Sequence, residues 1–177
     1  MSPNSFIGTE QPATLADIQA IESVYGFTLP ADYKAHILRH NGGWPTRTVF
    51  VQQMEDGRQV ERDISSFDAV KYGETTLESS IQSLRSEFHD DLVPFANEGG
   101  GDVFVLSVGP EDYGSVYYIA HEFYVPPFSD DDYDEETDTV KPLSPRQYGK
   151  GVHLLAPSFT AFLDGLVEGT AYDDDDE

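Results

Sequence analysis

The spacing of apolar residues along this chain opens in helical steps of three and four, gives way to strand-like runs and returns to helical steps, and those changes limit the folds open to it. Thr14 followed by Asp17 has the form of a capping box, after which Leu15, Ile18, Ile21 and Val24 recur at helical spacing until Gly26 offers a left-handed stop. A second helix opens at Leu29-Pro30, with Pro30 pre-set for a first helical turn, Tyr33, Ile37 and Leu38 as its apolar stripe, and Asn41-Gly42-Gly43 as its end. The short link between them predicts a helical hairpin. From Val49 the period shortens: Val49, Phe50 and Val51, an Asp56-Gly57 turn, then Val60 and Ile64 read as two strands of a hairpin.

Leu77, Ile81, Leu84 and Phe88 restore helical steps and predict a helix over 76–89. Leu92 to Ala96, Asp102 to Val108 and Ser115 to His121 are rich in Val, Phe, Tyr and Ile and are divided by glycine-bearing turns, so they read as consecutive antiparallel strands. Residues 125–151 lose periodicity, gain Pro and Gly, and read as a long loop. Ser158 then caps a short closing helix through Phe159, Phe162, Leu163 and Leu166. Helices in front, strands in the middle and a helix at the end predict an α+β fold. Its mainly antiparallel twisted sheet has an N-terminal helical hairpin, a middle helix and a short C-terminal helix, with helices covering one side. The length suits one domain, taken as 1–172 with an acidic loop at about 126–151, followed by an acidic disordered tail at 173–177.

Charge narrows the partners. With 33 acidic and 10 basic residues the formal charge is -23, so a nucleic-acid polyanion would be repelled and a cationic partner favoured. An apolar share of 38% is enough for a core, which argues against global disorder. The opening MSPNSFIGTEQPATL has no apolar signal core, and no run approaches the ~18 apolar residues of a membrane span, so the expectation is a cytoplasmic protein without a membrane partner. Two blocks, 130–138 and 173–177, hold 12 of the 33 acids. Such blocks serve as solvated loops, as partner-facing surfaces or as part of a salt-adapted surface, and composition leaves the three open.

Residue patterns for chemistry are sparse. Cysteine is absent, which excludes disulfides, a thiolate nucleophile and Cys-ligated zinc. Asp130, Asp132 and Asp134 alternate like the first calcium ligands of an EF-hand, but the sixth and twelfth positions are Glu135 and Lys141 where Gly and Glu are required. His36 and His40 lie four apart on the second helix without the Glu that a zincin places after its first His, so no metal or other cofactor is expected. The triplet Gly99-Gly100-Gly101 enters a strand, not a helix, and reads as a turn; no nucleophile elbow or phosphate loop occurs. His121 and Glu122, adjacent in a strand, would point to opposite faces, while Glu98 and Asp102 could converge across the glycine turn as the one carboxylate pair open to a hydrolase.

The order Ile21-Glu22, Leu29-Pro30-Ala31-Asp32-Tyr33, His40-Asn41-Gly42-Gly43, then Val93-Pro94-Phe95-Ala96-Asn97-Glu98-Gly99-Gly100-Gly101-Asp102, Val116-Tyr117-Tyr118 and Ser158-Phe159, resembles the SUKH superfamily. That superfamily includes fungal cell-wall-synthesis regulators and bacterial immunity proteins. The resemblance implies an α+β domain that is not an enzyme and that neutralises a cognate toxin by binding it, with a basic nuclease-type toxin domain as partner. The alternative is a non-catalytic intracellular scaffold or regulatory module of the same family. The motif residues Glu22, Leu29, Pro30, Tyr33, Asn41, Gly42, Gly43, Gly100 and Asp102 are expected to be structural, through capping and packing. Candidate toxin contacts are Glu111, Asp112 and the run Asp130, Asp131, Asp132, Tyr133, Asp134, Glu135 and Glu136, with Trp44, Tyr113 and Tyr133 as aromatic anchors.

Overall fold

Helix α1 (Leu15–Tyr25) begins with the capping box read from the sequence: the Thr14 hydroxyl accepts the Asp17 N–H at 3.2 Å and the Asp17 carboxylate accepts the Thr14 N–H at 3.0 Å. It ends at Gly26, whose φ of 77° is left-handed. Ile18 and Ile21 are buried, whereas Leu15 and Val24 are 49% and 73% exposed. A strict three-residue step drifts by about 60° around a helix each time, so the two ends of the expected stripe roll off the buried face. In α2 (Ala31–Arg39) Pro30 is the N-cap residue, and the buried positions are Tyr33, His36 and Ile37, with Leu38 exposed. Glu22 joins the two helices by accepting the Leu29 N–H at 2.8 Å and pairing with Lys34 at 3.1 Å.

Asn41 does not cap α2. Its buried amide donates to the carbonyls of Gln11 (2.8 Å) and Val70 (3.0 Å), and its oxygen accepts the Val70 N–H (2.7 Å). Gly42 and Gly43 follow with φ near +80°, and a Cβ on them would stand 2.7 Å from the Ala69 Cβ and 2.4 Å from the Ile7 carbonyl. The pair therefore threads the chain through a gap that admits no side chain.

The computed structural model describes residues 4–84, 87–89, 91–125, 133–136, 139–140 and 148–168. Its larger sheet is antiparallel throughout, in the order β11 (Val152–Ala156), β8 (Val116–Ile119), β7 (Asp102–Ser107), β6 (Leu92–Glu98) and β5 (Ser66–Phe67). Along β7 and β8 alternation is strict, whereas β6 and β11 each carry a register shift. Phe104, Leu106, Val116 and Tyr118 join the main core with α1, α2 and the closing helix α4 (Phe159–Asp164). Val103, Val105, Tyr117 and Ile119 form a second cluster with Leu92 and Tyr148, against which Leu84, Phe88, Tyr124 and Val152 pack. Both faces of the central strands are thus covered, where the sequence pointed to one; continuous apolar runs such as Val103-Phe104-Val105-Leu106 are what a doubly covered strand requires.

A smaller sheet runs in the order β12 (Leu166–Val167), β3 (Val49–Gln53) and β4 (Gln59–Asp63). The expected hairpin is its β3–β4 pair. Leu166, expected in the closing helix, lies instead in β12 opposite Phe50. The middle helix α3 is Leu77–Leu84. The third expected strand stops at Ile119, and His121–Phe123 forms a 3-10 turn. The opening segment is used as well: β1 (Phe6–Ile7) pairs with β2 (Trp44–Pro45). Within the expected loop, β9 (Tyr133–Asp134) pairs with β10 (Thr139–Val140) around Glu135 and Glu136, both exposed. Asp130, Asp131, Asp132 and the 173–177 tail lie outside the described residues. Among the described residues no helix is long and apolar enough to cross a membrane.

Candidate functional site

The turn between β7 and β8 carries three of the expected contact residues, and the structure separates their roles. Asp112 is 5% exposed and accepts from the Ser107 hydroxyl at 2.6 Å, the Tyr117 hydroxyl at 2.5 Å and the Tyr148 hydroxyl at 2.8 Å. Burial, together with the nearby Asp112 carboxylate, pushes the Tyr148 phenol above its ordinary range. Asp112 is therefore a buried hub that pins Tyr148 over the second cluster, and its charge faces inward. A carboxylate satisfied by hydroxyls tolerates such burial, whereas an unpaired one does not. Its neighbours point outward: Glu111 is exposed, and Tyr113 is 46% exposed with its hydroxyl donating to the Thr28 carbonyl at 2.7 Å.

That last bond ties the turn to the α1–α2 link. Partial burial, and then the charges of Glu22 and Asp32, raise the Tyr113 phenol above its ordinary value. The result is an exposed aromatic ring edged by Glu111, Glu22 and Asp32, drawn from three separate stretches of sequence. Asp32 also links α2 to α4, its carboxylate accepting the Thr160 N–H (2.9 Å) and hydroxyl (3.0 Å). Trp44 is 43% exposed and stands elsewhere, on β2 opposite Ile7 with its ring against Gly8.

At the other end of β7, Asp102 and Glu98 are register partners held by different donors. The Glu98 carboxylate accepts the Gly100 N–H at 3.0 Å. Asp102 accepts from the Tyr118 hydroxyl, from the His121 N–H at 3.0 Å and from the His121 Nδ1 at 2.6 Å. Partial burial pushes the Asp102 carboxyl up, and these hydrogen bonds outweigh it, so its pKa falls below the ordinary range. The same contact with Asp102 raises the His121 imidazole above 6.5. His121 sits in a 3-10 turn and not in the expected strand, and its imidazole meets Asp102.

A groove of about 780 Å³ opens between α2, α4 and the β1 segment. Phe6, His36, Arg39, His40, Arg47 and Phe159 are among its lining residues. His36 is 3% exposed, and its Nε2 has no hydrogen-bond partner. Burial, and then His40 and Arg39, push the His36 pKa down to about 3, so the ring is neutral in ordinary conditions. Phe6 lies edge-on over it at 4.7 Å, and His40 at 5.4 Å. The i, i+4 spacing of His36 and His40 was visible in the sequence, but the groove they share, lined by Arg39, Arg47, Asp32 and Asp164, depends on residues distant along the chain. Among the described residues no three His, Asp or Glu side chains gather as a metal-binding set.

Residues 12–165 match the family described as the SMI1 / KNR4 family (SUKH-1). No curated protein matches the chain.

Proposed function

The chain belongs to the SMI1 / KNR4 family (SUKH-1), and from that premise we propose that it is a cytoplasmic immunity protein that neutralises a basic, nuclease-type toxin domain by stoichiometric binding, without catalysis of its own. What carries the reading, beside the family, is the division of its acids: Asp112 and Asp102 are held by internal hydrogen bonds, while Glu111, Glu135 and Glu136 face solvent. In a chain of formal charge -23 these outward acids give a field that attracts a cationic protein. Steering of this kind lifts association toward ~10⁸ M⁻¹s⁻¹ at low salt, and a lasting complex needs about 800 Å² of packed surface on each partner. Tyr113, rimmed by Glu111 and Glu22, supplies an anchor for that packing, with Trp44 and the 130–136 run as further contacts. Residues 1–172 act as one domain in this proposal.

Co-expression with a toxin domain encoded beside this chain tests it: growth is restored and the two proteins co-purify in equal amounts. Stopped-flow association then slows steeply between low and physiological salt. Rescue without a complex, or a salt-independent rate, overturns the proposal. A stable complex with a partner that is not toxic supports instead the scaffold or regulatory role of the same family.

A further inference from the structure

We propose that the opening segment, residues 4–7, is a pH-sensitive strap: its Phe6 ring closes over His36 and His40, and the strap lifts when His36 takes up a proton. The device is independent of how a toxin is bound. Apart from that ring, little holds the strap down. β1 is two residues long and forms a two-stranded sheet with β2. Thr46 donates its N–H to the Ser5 carbonyl at 2.8 Å, and the Asn4 side chain bonds the Arg47 backbone at 2.8 and 2.9 Å and the Thr46 hydroxyl at 2.9 Å. These bonds are exposed or half-buried, so water replaces them at small cost. Phe6 supplies the grip. It stands edge-on to His36 at 4.7 Å, stacks on His40 at 4.9 Å and meets Phe67 edge-on at 5.3 Å.

Under the closed strap His36 has no room for a second proton. The residue is buried, and its Nε2 has no hydrogen-bond partner. From its own helix it is faced by Arg39, a cation, and by His40. β5 and α4 present the uncharged rings of Phe67 and Phe159, and β1 presents Phe6. Asp32, Asp164 and Arg47 line the adjoining groove, and none of them partners Nε2. An imidazolium here would be a buried cation without a counter-ion, which is why the closed form holds the pKa down to about 3. Lifting Phe6 admits water to the ring, and the pKa returns toward 6.5. Protons then bind the open form better than the closed one and draw the population toward it. With those two values the open-to-closed ratio rises about 30-fold from pH 7.5 to pH 5, however rare the open form is at neutral pH. His40 is half-buried and acts in the same sense, with less to gain from opening.

Amide hydrogen exchange on the full-length protein, corrected for the intrinsic rate at each pH, tests the strap. The Thr46 N–H, bonded to Ser5, reports its opening, and the amides of the central strand β7 report unfolding of the large sheet. Thr46 protection is expected to fall about 30-fold from pH 7.5 to pH 5 while β7 protection does not fall with it. His36→Phe keeps a ring beneath Phe6 and cannot titrate, so most of that pH dependence is expected to vanish. In Phe6→Ala, imidazole ¹⁵N spectra are expected to show His36 titrating between pH 5 and 7 in the folded chain. The proposal is overturned if Thr46 protection is flat with pH in the parent, if β7 protection falls in step with it, if His36→Phe retains the full dependence, or if Phe6→Ala leaves the His36 midpoint below about pH 4. Where His36→Phe does not fold, the parent and Phe6→Ala decide the matter. None of these outcomes touches toxin capture, so the proposed function stands or falls separately.

Discussion

Two buried groups titrate in opposite senses, and removing one should uncover the other. Asp68, between β5 and α3, is 5% exposed, and burial raises its pKa from 3.8 to about 7 against a weaker opposing hydrogen bond from Ser80. Between those values the folded chain holds a proton that the unfolded chain has lost, so Asp68 makes stability fall as pH rises from about 4 to 7. For His36 the folded pKa is about 3 and the unfolded value 6.5, so the unfolded chain binds the extra proton and stability falls as pH drops through that window. Each slope is about 1.4 kcal/mol per pH unit, and from about pH 4 to 6.5 they cancel. Asp68→Asn keeps an acceptor for Ser80 and deletes one slope. The stability of the variant minus that of the parent should rise by about 2.5 kcal/mol between pH 5 and 8, a range above the pI of about 4.2. Urea unfolding at each pH measures it, and the changing self-repulsion of the -23 chain is common to both proteins. A difference that stays flat across pH 5–8 would refute the reasoning by showing that Asp68 ionises alike in both states.

Three further outcomes follow from the geometry. Asp112→Ala strands the hydroxyls of Ser107, Tyr117 and Tyr148 and should cost about 3 kcal/mol in chemical denaturation, while Glu111→Ala stays within about 0.5 kcal/mol. Gly43→Ala meets both a positive φ and the Ile7 carbonyl at 2.4 Å, so a loss of at least about 2 kcal/mol is expected, with faster amide exchange in β1. In an NMR titration His121 should lose its proton above pH 6.5, and Asp102→Asn should lower that midpoint; an unchanged midpoint would mean that the Asp102 contact does not hold the imidazolium.

Local signals in the sequence located the elements whose residues are close neighbours along the chain. The Thr14–Asp17 box, the Gly26 stop, the Asp56-Gly57 hairpin and the Ser158 cap are set by bonds spanning a few residues, and each stands where the sequence placed it. What was not legible depends on distant partners. The two-residue strands β1, β5 and β12 are too short for periodicity and exist because Trp44–Pro45, β6 and β3 present an edge to them. Asn41 followed a helix and read as its stop, yet its partner is Val70, 29 residues on. Asp112 shows the same limit at the candidate surface. An Asp in a Gly-Pro-Glu-Asp turn has the composition of solvent-facing chain, and nothing near it in sequence announces Tyr148. The groove needed Asn4, α2, Arg47 and α4 together, so the His36–His40 spacing, set aside as a metal pair, gave no sign of it.

The way this chain neutralises its inner acids separates folding from binding in their response to salt. Asp112 is held by hydroxyls, Asp102 by the Tyr118 hydroxyl together with the His121 N–H and imidazole, Asp32 by Thr160, and Glu22 by the Leu29 N–H as well as by Lys34. Short hydrogen bonds of this kind, partly or wholly buried, are little affected by mobile ions, whereas the mutual repulsion of exposed carboxylates is screened within about 10 Å at 0.1 M salt. Added sodium chloride should therefore leave the internal contacts intact while relieving the surface, and the midpoint of urea unfolding should rise between low salt and about 0.3 M. Over the same range association with a cationic partner should slow, because the field that destabilises the folded chain is the one that draws the partner in. Opposite signs in the two measurements are the signature of that shared origin. If stability instead fell with salt, ion pairs such as Lys34–Glu22 and Lys71–Asp17 would outweigh the repulsion among the acids, and the acidic surface would lose its role as the source of steering.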